Sequence, residues 1–367
     1  MTGTVSAEGI VLAHSLSGRP RARAQAVTRQ RREDGEELSL APGATRAAGG
    51  GQRAVPEEPD PLRTCFERDR DRILHSSAFR RLAGKTQVFV FPRDHQRTRL
   101  THALEVAQVA TAVARATGLN VALTEAIALG HDCGHGPGGH ASEEAFAPYL
   151  ADGYNHAIWG ADVVLAPLNL CAETLDGIRH HSWSLPSPAT PEGAVVSWAD
   201  RCAYCAHDLE DAAGIGIVDV DDLPPSVVDV AGRSRSSQLQ CFITSLVDCI
   251  TATGEIGMRQ PFATALAHLR AFNYERIYTR PSSIAQGRAV ISVLSALVEY
   301  FAENPGKLAG SGPHPVGIPD AVVGGGRGAA LRQSIAYVSG MTDRFAFDTA
   351  VELLGWPVDR LPRSVAG

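Results

Sequence analysis

Lysine is almost missing from this chain: of 34 basic residues only Lys85 and Lys307 are lysine. With abundant alanine, glycine and proline, this reads as a GC-rich coding bias without functional meaning. No surplus of positive charge is present either, and a net charge of −6 argues against a general nucleic-acid binder. No segment approaches the ~20 uninterrupted apolar residues of a membrane helix. The N-terminus has no signal-peptide core, so a cytoplasmic protein without membrane contact is expected. Seven cysteines, an odd number without framework spacing, fit reduced thiols rather than a disulfide scaffold. Cys202 and Cys205 form a CxxC inside a predicted helix, which makes them small packing residues. No internal repeat is found.

What is present is histidine, gathered in one region. Ten of the 13 histidines lie between His75 and His207. They centre on TRLTHALEVAQVATAVARATGLNVALTEAIALGHDCGHGPGGHASEEAF, residues 98–146. Leu100, Ala103, Leu104, Ala107, Ala110 and Val113 recur at helical spacing, which predicts a helix over 99–116 with His102 in its first turn. A second helix is expected over 120–132, ending at His131-Asp132 because the glycines and proline of 134–139 cannot continue it. Consecutive residues at a helix end project about 100° apart, yet both can converge on one ion where the chain turns away. A third helix is expected to begin near Ala141, with His140 and Glu143 three apart in its first turn.

Imidazole and carboxylate together suit borderline or hard divalent metals. His102, His131 and Asp132 supply three ligands, and Asp200 is the best fourth. The stretch AVVSWADRCAYCAHDLEDA, 194–212, reads as a helix in which Asp200, Tyr204 and Asp208 share a face beside Arg201. Each element alone has a plain reading: a lone His is a satisfied core or surface residue, HD is a dipeptide, and Asp200 a solvated helix position. The ordered set H, HD, HxxxxH and DRxxY within about a hundred residues is far more specific.

At that point the chain resembles the HD superfamily, and within it the deoxyguanosinetriphosphate triphosphohydrolase-like branch. The resemblance is carried by RDRDRILHSSAFRRLAGKTQVF (68–89), RTRLTHALEVAQ (97–108), HDCGHGPGGHASEEA (131–145), WADRCAYCAHDLEDA (198–212) and YVSGMTDRFA (337–346). It implies an all-α HD-domain helical bundle extended by further C-terminal helices. His102, His131, Asp132 and Asp200 then fall on the metal ligands, for Mg²⁺ or Mn²⁺ first and Fe, Co, Ni or Zn as alternatives. His135 and His140 match active-site histidines, and Glu143 the carboxylate paired with His140. His156, in YNHAIWGADVV, corresponds to a further active-site histidine, although relatives more often show His-Asn where this chain has Asn155-His156. Gln87 matches a sugar or base contact and Arg99 a phosphate contact. Arg201, Tyr204 and Asp208 match contacts to phosphate, sugar and sugar hydroxyl. Arg270 and Tyr278, in LRAFNYERIYTRP, are further candidates, with helix-surface and core roles as their plain reading.

The implied reaction is hydrolysis of a deoxynucleoside triphosphate to deoxynucleoside and triphosphate. Another nucleotide substrate, or a nucleotide-sensing regulator without turnover, are the alternatives. A homo-oligomer is implied, with an allosteric nucleotide or single-stranded DNA as a further partner. A triphosphate carries roughly four negative charges, and arginine's fork suits its oxygens, so the overall negative charge does not exclude it.

Along the chain, 367 residues with 44% hydrophobic and 20% charged content allow a large core. Residues 1–58 read as a flexible N-terminal arm with a basic run (Arg19, Arg21, Arg23, Arg29, Arg31, Arg32), residues 59–215 as the catalytic core, and 216–367 as a C-terminal helical region. A helix over 66–82 carries Arg68, Arg70, Arg72, Arg80 and Arg81, with Lys85 following, largely paired with acids such as Glu67, Asp69 and Asp71. Residues 214–232 read as a connector, 238–253, 258–275 and 287–302 as helices, and 303–328 as an exposed loop. Asp343 reads as a cap or packing residue.

Overall fold

The structure is a computed structural model, and it describes residues 4–5, 9–13, 22, 24–92, 95–308 and 326–363. Arg19, Arg21 and Arg23 of the basic run, and most of the 303–328 loop, lie outside the described residues. The fold is all-α, as its composition and periodicity require. The described exception is a two-residue antiparallel pairing of Thr4–Val5 with Val11–Leu12.

The helices that matter for the site are named in chain order: α1 (Arg29–Ser39), α2 (Cys65–His75), α3 (Ser77–Arg81), α4 (Arg99–Thr117), α5 (Val121–Gly130), α6 (Ala141–Phe146) and α7 (His156–Trp159). They continue with α8 (Ala172–Arg179), α9 (Pro191–Gly214), α10 (Pro225–Ala231), α11 (Arg235–Thr253) and α12 (Gln260–Asn273). The last three are α13 (Pro281–Glu303), α14 (Gly326–Ser339) and α15 (Asp343–Leu354). Helix α4 is the axis of the histidine-bearing half. Its apolar residues Ala103, Val106, Val109, Ala110 and Val113 are fully inaccessible and pack against α5 and α9. It stops at Gly118, whose left-handed backbone (φ 70°) only glycine takes up without strain.

Two apolar clusters divide the interior, and their division does not fall at residue 215. The larger joins residues from Ala44 to Ile277, so α10 to α12 belong with the histidine-bearing half. The smaller forms around α13, α14 and α15 and takes in Val90, Phe146, Tyr154 and Trp159 from the earlier chain. By length and composition α13 is apolar enough to cross a membrane. Its scattered polar residues break every uninterrupted run, in keeping with the sequence reading. Here it packs Val290, Val293, Leu294, Leu297, Val298 and Phe301 against α6, α14 and α15.

Four sequence expectations need correcting. The arm is not loose over all of 1–58: α1 forms at Arg29, where Thr28 accepts from Arg31 N, and the segment after it is anchored. Buried Glu192 accepts from Thr45 N at 3.0 Å and Asn120 N at 2.9 Å, and Arg53 pairs with buried Asp69 at 2.7 Å. The 66–82 helix is broken at Ser76, whose hydroxyl accepts from Phe79 N (3.1 Å) and starts α3. Of the acids expected to face its arginines, Asp71 does so, pairing with Arg70 at 2.8 Å, but Arg68 and Arg72 both pair with Glu57, whereas Glu67 holds Arg32 and Asp69 holds Arg53. Finally, the 214–232 connector contains α10, which uses Pro225 at its first turn where a missing N–H costs nothing.

Candidate active site

Chain geometry gathers the histidines. Helix α5 ends at Gly130, and His131-Asp132 continues in a tight turn in which Cys133 N donates to Gly130 O and His135 N to Asp132 O. That turn lies directly against α7. A Cβ at Gly134 would fall on the carbonyl oxygen of His156 and the amide of Gly160, so glycine is required there. Gly138 (φ 70°) and Gly139 (φ 63°) then reverse the chain into α6.

His102, on the first turn of α4, places Nε2 3.0 Å from Asp200 Oδ1 and 3.9 Å from Asp132 Oδ2. His131 donates Nδ1–H to Ala128 O at 2.6 Å, which leaves Nε2 as a lone pair turned inward. That Nε2 is buried without a hydrogen-bond partner, 3.5 Å from Asp132 Oδ1 and 3.7 Å from Asp200 Oδ1. An orphaned imidazole nitrogen facing two carboxylates and a second imidazole fits a divalent cation. The His/Asp groups here could hold one. Burial works to raise the Asp132 carboxyl, but Arg99 and the neighbouring imidazoles outweigh it and hold it well below the usual carboxylate range. Asp200 is lowered in the same way, against burial, by His102 and His131.

Glu143 is shared by two histidines. Its Oε1 accepts from His156 Nδ1 at 2.6 Å and from His156 N at 2.9 Å, and its Oε2 lies 3.3 Å from His140 Nδ1. The His156 contact is the shorter, so the sequence pairing of Glu143 with His140 alone was incomplete. His140 is exposed at the cavity mouth, while His135 is buried with Nε2 3.2 Å from Asp132 Oδ1 and stacks on the His156 ring at 3.7 Å. Burial resists the Glu143 charge, but the two histidines hold its carboxyl far below its ordinary range.

Above this floor opens a cavity of about 560 Å³, lined by Gln87, Arg99, Arg201, Tyr204, Asp208, Arg270 and Tyr278 among others. All the expected substrate residues are therefore on its wall, but they are differently engaged. Arg99 donates to Asp132 Oδ2 at 2.8 Å and is buried, so part of its charge serves the Asp132 carboxylate. Arg201 lies 3.4 Å over the Trp183 ring and its buried Nε has no partner. Arg270 donates to Tyr204 Oη at 2.9 Å, and Tyr278 donates to Asp208 Oδ2 at 2.5 Å. Burial pushes Asp208 up to about 7. Gln87 presents a buried, unpartnered Oε1.

Two residues of the site escaped sequence reasoning. His181 is buried, donates Nδ1–H to Ile178 O at 2.8 Å, and brings Nε2 to 3.2 Å from His156 Nε2. Burial pushes it down to about 3, so its ring is neutral. Trp183 stands on the cavity lip, with its indole N–H bonded to Ser197 O at 3.1 Å. The only signal was their closeness in HHSW just after a short amphipathic helix, and neither spacing nor periodicity marks it.

Helical fold, histidine–aspartate floor and arginine-walled cavity define an HD-domain protein, and the HD domain family model matches residues 99–205. A phosphohydrolase-associated domain model matches residues 256–352. The chain belongs to the family of deoxyguanosinetriphosphate triphosphohydrolase-like proteins. A relative of that description from Caldanaerobacter subterraneus subsp. tengcongensis is 39% identical over 86% of this chain and 93% of its own. One from Clostridium tetani is 36% identical over the same shares, and one from Desulfatibacillum aliphaticivorans is 40% identical over 75% and 84%.

Proposed function

We propose that this protein hydrolyses a deoxynucleoside triphosphate of the dGTP type to deoxynucleoside and intact triphosphate, with a divalent metal bound by His102, His131, Asp132 and Asp200. The observation that carries the reading is the placement of Arg201. An arginine with an unpartnered buried Nε, beside a histidine–carboxylate floor, is a receptor for a polyanion whose reacting phosphorus lies over that floor. When bound, the metal supplies Lewis acidity toward a phosphate oxygen and lowers the pKa of a water.

The residues divide the remaining work. Arg201 meets phosphate oxygens, and Arg270, held by Tyr204, stands beside it on the same wall. Tyr278 and Asp208 form a donor–acceptor pair suited to a sugar hydroxyl. Gln87 offers an amide to the sugar or base. His140 faces the cavity and exchanges the proton, while Glu143 fixes its Nδ1. Discrimination against ribonucleotides would come from packing at the 2′ position by Tyr204 and the 85–89 segment.

Incubation of metal-loaded protein with each dNTP, with triphosphate resolved from pyrophosphate and phosphate, tests this. Triphosphate release from at least one dNTP is expected. Consumption of only monophosphates or phosphodiesters, or binding of dGTP without cleavage, would overturn it.

A further inference from the structure

We propose that Cys65 and Cys171 are a modification site: a hydroperoxide oxidises them to a reversible disulfide that fastens the start of α2 to the start of α8. Both cysteines are free in the reduced chain. Their sulfurs converge on one point, since a Cβ at Gly51 would collide with Cys65 Sγ and stand 3.4 Å from Cys171 Sγ. The Cys171 thiol is hydrogen-bonded to that of Cys65. The backbone on both sides is pinned by other groups. Cys171 N donates to Asp69 Oδ2 at 2.8 Å, and Ala172 N donates to Gln52 O at 2.8 Å. Arg53 spans the pair: its backbone bridges to Cys171, and its guanidinium donates to Cys65 O at 3.0 Å while resting on buried Asp69. Two sulfurs far apart in sequence are thus held together by bonds that do not involve them. Cys65 Sγ gives up only a weak contact to Ala47 O at 3.8 Å on turning to its neighbour.

Unequal exposure assigns the order of events. Cys65 is partly exposed and Cys171 is fully buried. The bond to Cys65, joined by burial, pushes the Cys171 thiol far above its ordinary range, so it keeps its proton. Cys65 is therefore the sulfur that meets the oxidant, as the thiolate, which is the nucleophilic form. Its sulfur attacks the O–O bond of the hydroperoxide. An S–O bond forms, the O–O bond breaks, and the leaving oxygen takes a proton from solvent. The resulting sulfenic acid faces Cys171, whose sulfur displaces the hydroxyl: the S–S bond forms, and the hydroxyl departs as water with the Cys171 proton. The two thiols lose two electrons in all, and the peroxide accepts them. The loop so closed carries His102, His131, Asp132, Glu143 and His156, and α8 leads directly to His181 and Trp183. The crosslink braces the frame of the site and leaves its cavity-facing groups untouched.

The test uses the full-length protein, reduced and then treated with hydrogen peroxide. Remaining thiols are alkylated after denaturation and counted by intact mass, and the peptides are mapped. Peroxide should leave two fewer alkylated thiols than the seven of the reduced chain, with one peptide pair joined through Cys65 and Cys171 and parted by dithiothreitol. Closing so long a loop constrains the unfolded chain, so the oxidised protein should melt about 5 °C or more above the reduced one. In Cys171→Ser the reaction should halt at a Cys65 sulfenic acid that dimedone captures, with no gain in Tm. If Cys171→Ser does not fold, the wild-type peptide map decides. Seven alkylated thiols after peroxide, a pair joined elsewhere, dimers crosslinked through Cys65, or a wild-type Cys65 that runs on to sulfinic acid overturns the proposal. None of these outcomes bears on the proposed hydrolase activity, which is measured separately.

Discussion

Asp343 and Gly138 lie 205 positions apart in sequence, yet the Asp343 carboxylate accepts the Gly138 N–H at 2.8 Å. The same carboxylate accepts from Thr86 N at 3.0 Å and Thr86 Oγ1 at 2.5 Å. The first turn of α15 therefore clamps the two loops that carry Gln87 and His140. Asp343 is thus more than a cap or packing residue.

Removing this clamp has a calculable cost. Asp343→Ala leaves three buried donors unmatched, and unmatched donors cost about 1–3 kcal/mol each before relaxation. A loss of at least about 3 kcal/mol in urea unfolding is expected, with Asp343→Asn milder because one amide oxygen can still accept.

Glu143 holds two histidines at once, so Glu143→Gln should act on turnover more than on metal content. A fall in kcat of about 100-fold or more is expected, in line with loss of general acid–base support. Bound metal per chain should be unchanged. An equal loss of metal would assign Glu143 to the metal floor instead.

The buried Nε of Arg201 has no hydrogen-bond partner, and the guanidinium lies over the Trp183 ring. Arg201→Ala removes a charge-assisted contact worth about 1.5–3 kcal/mol, so KM for a dNTP should rise roughly 10- to 150-fold. Trp183→Leu should give a smaller rise, because the guanidinium stays charged but loses its platform.

Lys85 carries the pH dependence. It is buried, donates to the carbonyls of His135 and Ser339, and burial, aided by Arg81, pushes its ammonium down to about 7. In the unfolded chain it keeps its proton up to about 10.4. Between these values the unfolded state binds more protons than the native state, so this residue's contribution to stability grows as pH rises from 7 toward 10 and is lost as pH falls through 7. The increment is on the order of 4 kcal/mol. Unfolding at pH 7 and pH 9.5 should show it in wild type, and Lys85→Met should flatten it.

Of the candidate metal ligands, His102 and Asp200 were legible because they sit on strongly periodic helices: the expected 99–116 is α4, and 194–212 lies within α9. What escaped depends on contacts distant in sequence. The segment before α2 looks disordered because its order comes from Glu192, some 150 residues later. The break at Ser76 and the start of α10 at Pro225 follow local capping rules that a hydrophobic period alone does not register. His181 was hidden for a similar reason. It follows α8 in an irregular segment, and only the closeness of α7 to the HD turn, through Gly134, gives it a partner.

The wall of the cavity has a consequence for how the molecule could be divided. Gln286, Gly287 and Val290 line it from α13, and a Cβ at Gly138 would collide with the Val290 side chain. A polypeptide cut after α9 would keep every nitrogen and carboxylate of the floor but leave them open to bulk water on that side. Reactivity and enclosure are inherited from separate stretches of the gene, so a graft of the histidine-bearing stretch alone onto another scaffold would transplant the ligands without the shelter.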